Sequence, residues 1–374
     1  MDPTVPEFIV PLMLVGACLA LLAAPSMAGE PDQERGGTAA LPAAGLLIAV
    51  SMWGAHPVLA SASLALVSLL HAWRVLPRSR DAALMFALAG LASGTVAAAL
   101  ELGLMEVAFV ASFLAISLRA GLIPLHGGVA RLCERDPAEQ VRQLGSLIPL
   151  VFVHLRFVDH DPIAFAAATP LVWVGTVAAL IGAATTLVAE DLRGFFRGAT
   201  VTHGGILAVA VAASGLGEYA AALFHAITMA VAMGGLGVVV TALEERAGRV
   251  QLAGLGGRAT AFPLLASAFL VFGLAGVAAP GTAGFIADDL LLHTISQVSM
   301  VSAGLLLVAS ATLAIATLRV FASIFLGKPT TSAAPDLELR ERLVVAALFT
   351  TTVVLGFVPR ALTDPADQLL GHLP

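Results

Sequence analysis

Apolar stretches recur along almost the whole chain, near 8–24, 41–55, 57–73, 83–100, 105–123, 144–158, 164–188, 198–213, 218–243, 260–279, 301–326 and 343–361. A membrane-spanning helix needs about 20 largely apolar residues, so the pattern predicts an all-α integral membrane protein of about 12 transmembrane helices. Composition agrees: 59% hydrophobic and only 12% charged residues, with a mean hydropathy of +0.95, exceed what one soluble core can hide. The expected spans 41–55 and 57–73 are separated only by His56 and Pro57, where proline breaks helical hydrogen bonding and a tight turn fits. Residues 1–28 end in Ser26-Met27-Ala28, small residues that suit a signal-peptide cleavage site, but no basic residue precedes Phe8. A retained first helix is therefore the expectation.

The arginines and the single lysine set an orientation, because basic loops stay cytoplasmic. One set of alternate loops holds Arg35; Arg74, Arg78 and Arg80; Arg131, Arg135 and Arg142; Arg193 and Arg197; Arg246, Arg249 and Arg258; and Lys328, Arg340 and Arg342. The other set is nearly empty, which predicts a multi-pass protein of the inner (cytoplasmic) membrane with both termini outside. A net charge of −6 without a basic, aromatic-interleaved stripe gives no expectation of nucleic acid. Cys18 falls within a span and Cys133 in an expected cytoplasmic loop, so no disulfide is expected. No metal-ligand, P-loop or dinucleotide pattern occurs, so no cofactor, metal or catalytic site of its own is expected, and Gly254-Leu255-Gly256-Gly257 reads as loop punctuation.

Polar groups at membrane depth are costly and usually line a pathway or a protein interior. The candidates are Glu101 and Glu106 at a junction, Arg119, His126, His154 and Arg156, Thr202 and His203, His225 and Thr228, Asp288 and Asp289, and Arg319. Each alone reads as readily as a structural group, a hydrogen bond or an interfacial anchor, as it does as part of a pathway. Several lie in segments interrupted by Gly or Pro, the arrangement of ion sites in transporters.

Five segments together resemble the antiporter-like membrane subunits shared by respiratory complex I, Mrp-type cation/proton antiporters and membrane-bound hydrogenases. Arg119-Ala-Gly-Leu-Ile-Pro124-Leu-His126 is similar to that family's helix with a central lysine five residues before a proline, and Cys133-Glu134-Arg135-Asp136-Pro137 follows it. Glu190-Asp191-Leu192-Arg193 with Gly198 to His203 resembles its "TDIKR…STxSQ" segment, Phe224-His225-Ala226-Ile227-Thr228 its "FHLMTH" helix, and Ala279 to Asp288 its "PGTxGFxxE" broken helix. Arg319 to Lys328 is similar to its "R…HGK" end. The resemblance covers roughly residues 40–330 and implies two inverted-topology five-helix repeats with broken helices, at 41–158 and 164–326, after an N-terminal helix and loop in 1–40 and before a C-terminal loop and helix in 327–374. It implies other integral membrane subunits of a larger complex as partners, the lipid bilayer around them, and any redox chemistry confined to the assembly.

The departures are chemical. The resemblance expects a glutamate in the second helix of the first repeat, but His56 to Trp73 contains no carboxylate; the first lysine position is Arg119 and the second is Met233. A desolvated lysine can give up its proton, whereas arginine stays protonated. Arg119 is thus a fixed charge, expected to find a carboxylate or carbonyls on another helix or an adjacent subunit. Two readings follow: proton or cation conduction in which His203, His225 and Asp288 replace the lysines, or a non-conducting scaffold that docks neighbouring subunits. A third, which the resemblance implies through a side branch of the family and to which the segment Pro280 to Asp289 lends some support, is the membrane subunit of an inorganic-carbon uptake system. Asp288 and Asp289 also read as caps of a helix beginning at Leu290.

Overall fold

The computed structural model describes residues 18–19, 37–53, 56–158, 162–214, 219–332 and 334–364, with the side chains of 37–42 and 162–168 left undescribed. The expected span 8–24 lies outside the described residues apart from Cys18 and Leu19. Among the described residues the fold is helical, with one isolated bridge between Asp191 and Gln251. The first half comprises α1 (Gly37–Trp53), α2 (Pro57–Val75), α3 (Arg80–Glu101), α4 (Met105–Ala120), α5 (Gly127–Arg135), α6 (Pro137–Leu144) and α7 (Leu147–Phe157). The second comprises α8 (Pro162–Leu187), α9 (Leu192–Ser214), α10 (Tyr219–Thr228), a π-helical segment (Met229–Met233), α11 (Gly234–Ala247), α12 (Pro263–Gly276), α13 (Ala283–Val298) and α14 (Met300–Phe325), and α15 (Leu339–Phe357) follows.

Among the described residues, six helical stretches are long and apolar enough to cross a membrane: Pro57–Val75, Arg80–Glu101, Thr169–Leu187, Leu192–Ser214, Tyr219–Ala247 and Met300–Phe325. The other expected spans within the described residues correspond to shorter or more charged helices, and the sequence says why. The stretch 105–123 ends at Gly121, which takes the left-handed φ of +77° that closes α4. The stretch 144–158 is part of a longer segment broken into α6 and α7 at Gly145 and Ser146. The stretch 260–279 gives only α12, because Val277 to Thr282, with Ala278 at φ +58°, separates it from α13. In α15, Arg340, Glu341 and Arg342 crowd the first turn.

Local chemistry sets the helix starts. Pro57 occupies the first turn of α2 after extended His56. Ser79 accepts from Ala82 N at the start of α3, and Asp136 accepts from Glu139 N at the start of α6. Glu338 and Glu341 form a capping box on α15.

Burial separates inner helices from outer ones. Within their apolar windows, Leu192–Ser214 is 94% and Tyr219–Ala247 100% buried, against 39% for Met300–Phe325. The two inner elements carry His203 and His225, so the second-half histidines sit where neighbouring helices replace lipid. Gly204 lets α9 press against the end of α4, since a Cβ there would collide with the Ala120 carbonyl beside Arg119.

Candidate functional site

Two polar clusters lie inside this apolar body. The first grows from one face of α2, where Ser61, Ser68, His71 and Arg74 are all buried. Thirteen residues separate the first from the last, about 20 Å of helix. Arg119, fully buried at the end of α4, donates from Nη1 to Ser68 Oγ at 2.8 Å and from Nη2 to Ser146 Oγ. Its guanidinium also lies over the Phe86 ring, 5.0 Å from the centroid. The expected carboxylate or carbonyl partner is therefore replaced by two hydroxyls and an aromatic face, all within this chain. Gln143 Nε2 donates to the Arg119 carbonyl at 3.2 Å, fixing the end of the helix.

Among the described residues, the buried carboxylate of this half stands on α6. Glu139 is fully buried; its Oε1 lies 2.9 Å from His71 Nδ1, and its Oε2 lies 3.4 Å from Arg74 Nη2 and 3.1 Å from Arg142 Nη1. His71 stacks on Phe86 at 5.2 Å, so one aromatic ring joins the Glu139 group to Arg119. Arg74 and Arg142, expected in loops, are buried helical residues, and Cys133, also expected in a loop, is buried on α5. On the other side of Arg119 a cavity of about 10 Å³ is lined by Ser61, Ser93 and Ser112, room for roughly one water. Ser112 Oγ lies 3.0 Å from His154 Nδ1.

The second cluster is built from α9, α10 and α13. The His203 and His225 rings stack with centroids 5.6 Å apart and planes inclined by 30°. His225 Nδ1 lies 3.9 Å from Asp288 Oδ1, and Ser310 Oγ donates to Asp288 Oδ2 at 3.4 Å. None of the four ring nitrogens, nor Thr228 Oγ1, has a hydrogen-bond partner among the described residues. Asp288 is the sixth residue of a helix whose N-cap is Thr282. The alternative that Asp288 and Asp289 cap a helix starting at Leu290 is thereby overturned, because the chain re-enters helix as soon as it passes Pro280 and Gly281. The π-helical turn follows Thr228 directly and ends on Met233, which crowds Gly276 together with His203 Nε2.

The remaining sequence candidates scatter. Glu101, Glu106 and Asp289 are exposed. His126 precedes α5 without capping it, and Arg319 donates from Nη2 to the Ala189 carbonyl at 2.9 Å. Sequence reasoning missed Glu139, His71 and Arg142. The signal was present in the i, i+3 pairs His71/Arg74 and Glu139/Arg142, each of which puts two ionisable groups on one helix face.

At the basic rim the halves are clamped together. Arg249 bridges Asp191, 2.8 Å away, and Glu134 of α5, while Arg193 binds Glu244 and the Glu134 carbonyl. Burial pushes the Asp191 carboxyl up, but the hydrogen bonds from Arg249 and the Gly194 N–H and the Arg249 charge outweigh it and hold it below the ordinary carboxylate value. The same hydrogen bonds to Asp191 and Glu134 hold Arg249 above its ordinary value.

Three kinds of similarity bear on this arrangement. NADH-quinone oxidoreductase subunit M of Rhodobacter capsulatus is 26% identical over 282 residues, covering 72% of this chain and 54% of that protein. Subunit N of Rhodococcus opacus (strain B4) is 26% identical over 270 residues, covering 67% of this chain and 48% of that protein. The chain thus spans about half the length of the curated relatives it matches. Among solved structures, a chain of respiratory complex I from Thermus thermophilus superposes with a TM-score of 0.73 at 21% identity, covering 98% of this chain and 84% of that one. A chain of the Mrp complex from Dietzia sp. DQ12-45-1b gives 0.72 at 19% identity, covering 100% and 84%. These structural likenesses establish the fold. The transmembrane family described as NADH:quinone oxidoreductase/Mrp antiporter matches residues 64–314, and the chain belongs to that family.

Proposed function

We propose that this chain is an antiporter-like subunit of a multisubunit complex in the inner (cytoplasmic) membrane and that it moves protons, or a cation coupled to them, through its second half. The observation that carries the reading is the line His203, His225, Asp288: two stacked imidazoles, a carboxylate 3.9 Å from one of them, and ring nitrogens without partners among the described residues. Histidine and aspartate can both gain and lose a proton, which a relay requires. Relay between groups at this spacing needs a small displacement or one bridging water. In the first half, Arg119 supplies a fixed charge where a lysine would titrate. The fuller architecture in this proposal is about 12 crossings in two inverted repeats, 41–158 and 164–326, with breaks at Gly121 to His126 and Val277 to Thr282. Other integral membrane subunits, docked on the exposed apolar helices, complete the complex.

The test is proton flux in liposomes containing the chain together with the subunits that co-purify with it. Asp288→Asn keeps size and hydrogen bonding but cannot titrate; it is expected to assemble normally and to lose flux at least about tenfold. Unchanged flux sinks the relay. A second reading, a scaffold that does not conduct, draws on Met233, a buried apolar side chain crowded with the His203 ring against Gly276. Wild-type complex without flux, in vesicles shown to be tight, decides for the scaffold.

A further inference from the structure

Away from both polar clusters, α12 and α15 flank an apolar groove of about 320 Å³. Its walls are Leu264, Val271 and Phe272 on one side and Val345 and Phe349 on the other, and Arg342 lines its mouth. Leu264 to Phe272 is eight residues and Arg342 to Phe349 seven, so the groove runs about 10–12 Å along the helices. The apolar half of a bilayer is about 15 Å deep. A groove that starts at a cation on the basic rim and ends within one leaflet has the dimensions of an acyl chain below a headgroup. It is too short for a neighbouring transmembrane helix, which runs the full depth.

The charges at the mouth point the same way. Asp336 is committed to the start of α12, accepting from Leu264 N and, at 3.2 Å, from Leu265 N. Glu341 is neutralised by Arg246 at 2.6 Å and closes the capping box. Arg342 is exposed, with its Nε anchored on the Leu337 carbonyl at 2.8 Å, so its guanidinium is held at the groove entrance. A guanidinium beside an apolar slot offers a phosphodiester a charge partner and its acyl chain a place to lie.

We propose that this groove is a specific site for an anionic phospholipid, its phosphate on Arg342 and one acyl chain between α12 and α15. The lipid bridges α15 to the break before α13, the helix that carries Asp288, since α12 leads directly into Val277 to Thr282.

The experiment uses the full chain, stripped of lipid in detergent and titrated with phosphatidylglycerol or phosphatidylcholine, with bound lipid counted by native mass spectrometry and stability followed by thermal unfolding. Phosphatidylglycerol is expected to bind and raise Tm, and phosphatidylcholine to do so several-fold less well. Arg342→Gln should weaken phosphatidylglycerol binding roughly fivefold. Ala346→Trp, which fills the groove from an exposed position, should abolish the retained lipid while leaving helicity intact. Equal retention of the two lipids, or retention unchanged in both variants, overturns the proposal. Oxidative cross-linking of Ala346→Cys to a co-purifying membrane subunit also overturns it, in favour of a protein partner. The relay plays no part in these readouts, so failure here leaves the flux test untouched.

Discussion

The two buried clusters solve the problem of polarity in an apolar body in opposite ways. In the first half, permanently charged arginines gather around Glu139 and the hydroxyls of Ser68 and Ser146. In the second, Asp288 and two neutral-capable imidazoles are brought close yet hold few hydrogen bonds. An ionic cluster whose opposite charges stand on different helices fixes those helices in place, because removing Glu139 takes the shared counter-charge from several buried groups at once. A cluster of titratable groups with spare donors and acceptors contributes little to stability and keeps the capacity to change protonation. The difference assigns anchoring to the first half and, in the proposed function, transport to the second.

The largest expected effect tests the anchor. Glu139→Gln leaves Arg74 and Arg142 facing a neutral amide at 0% exposure. The cost is about 3–5 kcal/mol, the range for breaking a buried ion pair. Thermal unfolding of the purified chain should fall steeply, and a variant as stable as wild type removes the anchoring role. A substitution at Arg119 should cost less, because hydroxyls and a ring face are its direct partners and tolerate loss of the charge.

A smaller effect is expected on the other side of the comparison. His203→Phe and His225→Phe preserve ring stacking, and the imidazole nitrogens have no hydrogen bonds among the described residues to lose. Each should change stability by about 1 kcal/mol or less, while proton flux in the reconstituted complex is abolished. If either variant is destabilised as strongly as Glu139→Gln, the second cluster is a structural network and the contrast between the halves collapses.

The sequence revealed the second cluster more clearly than the first, and the reason is geometric. His225 and Asp288 stand in segments with their own signatures, a histidine in an apolar helix and a Pro-Gly break, so each was visible alone. The Glu139 group is made of residues that read individually as loop charges: Arg74 ends an apolar stretch, and Glu139 and Arg142 lie in a polar run with negligible local hydrophobicity. Only the return of α6 against α2 turns them into an interior. The same folding-back hid the partner of Arg119, because Ser68 and Ser146 carry no charge for sequence reasoning to find. The break at Pro280 is legible from turn chemistry, whereas the apolar pattern of 105–123 runs on through Gly121 and the break at Gly145-Ser146 carries no proline to mark it.

The smallest expected effect concerns the clamp that holds the two regions together at the rim. Asp191 has its carboxyl held below the ordinary value by Arg249, so its folded-state affinity for a proton is lower than in the unfolded chain. Such a group adds stability that is fully present above the unfolded pKa of about 3.9 and is lost as pH falls through the lower folded value. Stability should therefore be insensitive to this clamp from neutral pH down to about 5 and should decline below about 4. Asp191→Asn should flatten that acid limb and cost about 0.2–1 kcal/mol at neutral pH, the range for a partly exposed pair, with the loss reduced by salt. Because Arg249 also holds Glu134, the variant keeps one of its two bridges between the halves. Double substitution of Asp191 and Glu134 should then cost more than the sum of the two single changes. Strict additivity would mean that the rim contacts act independently and that the buried helices alone, with Gly204 packed against the Ala120 carbonyl, hold the two regions together.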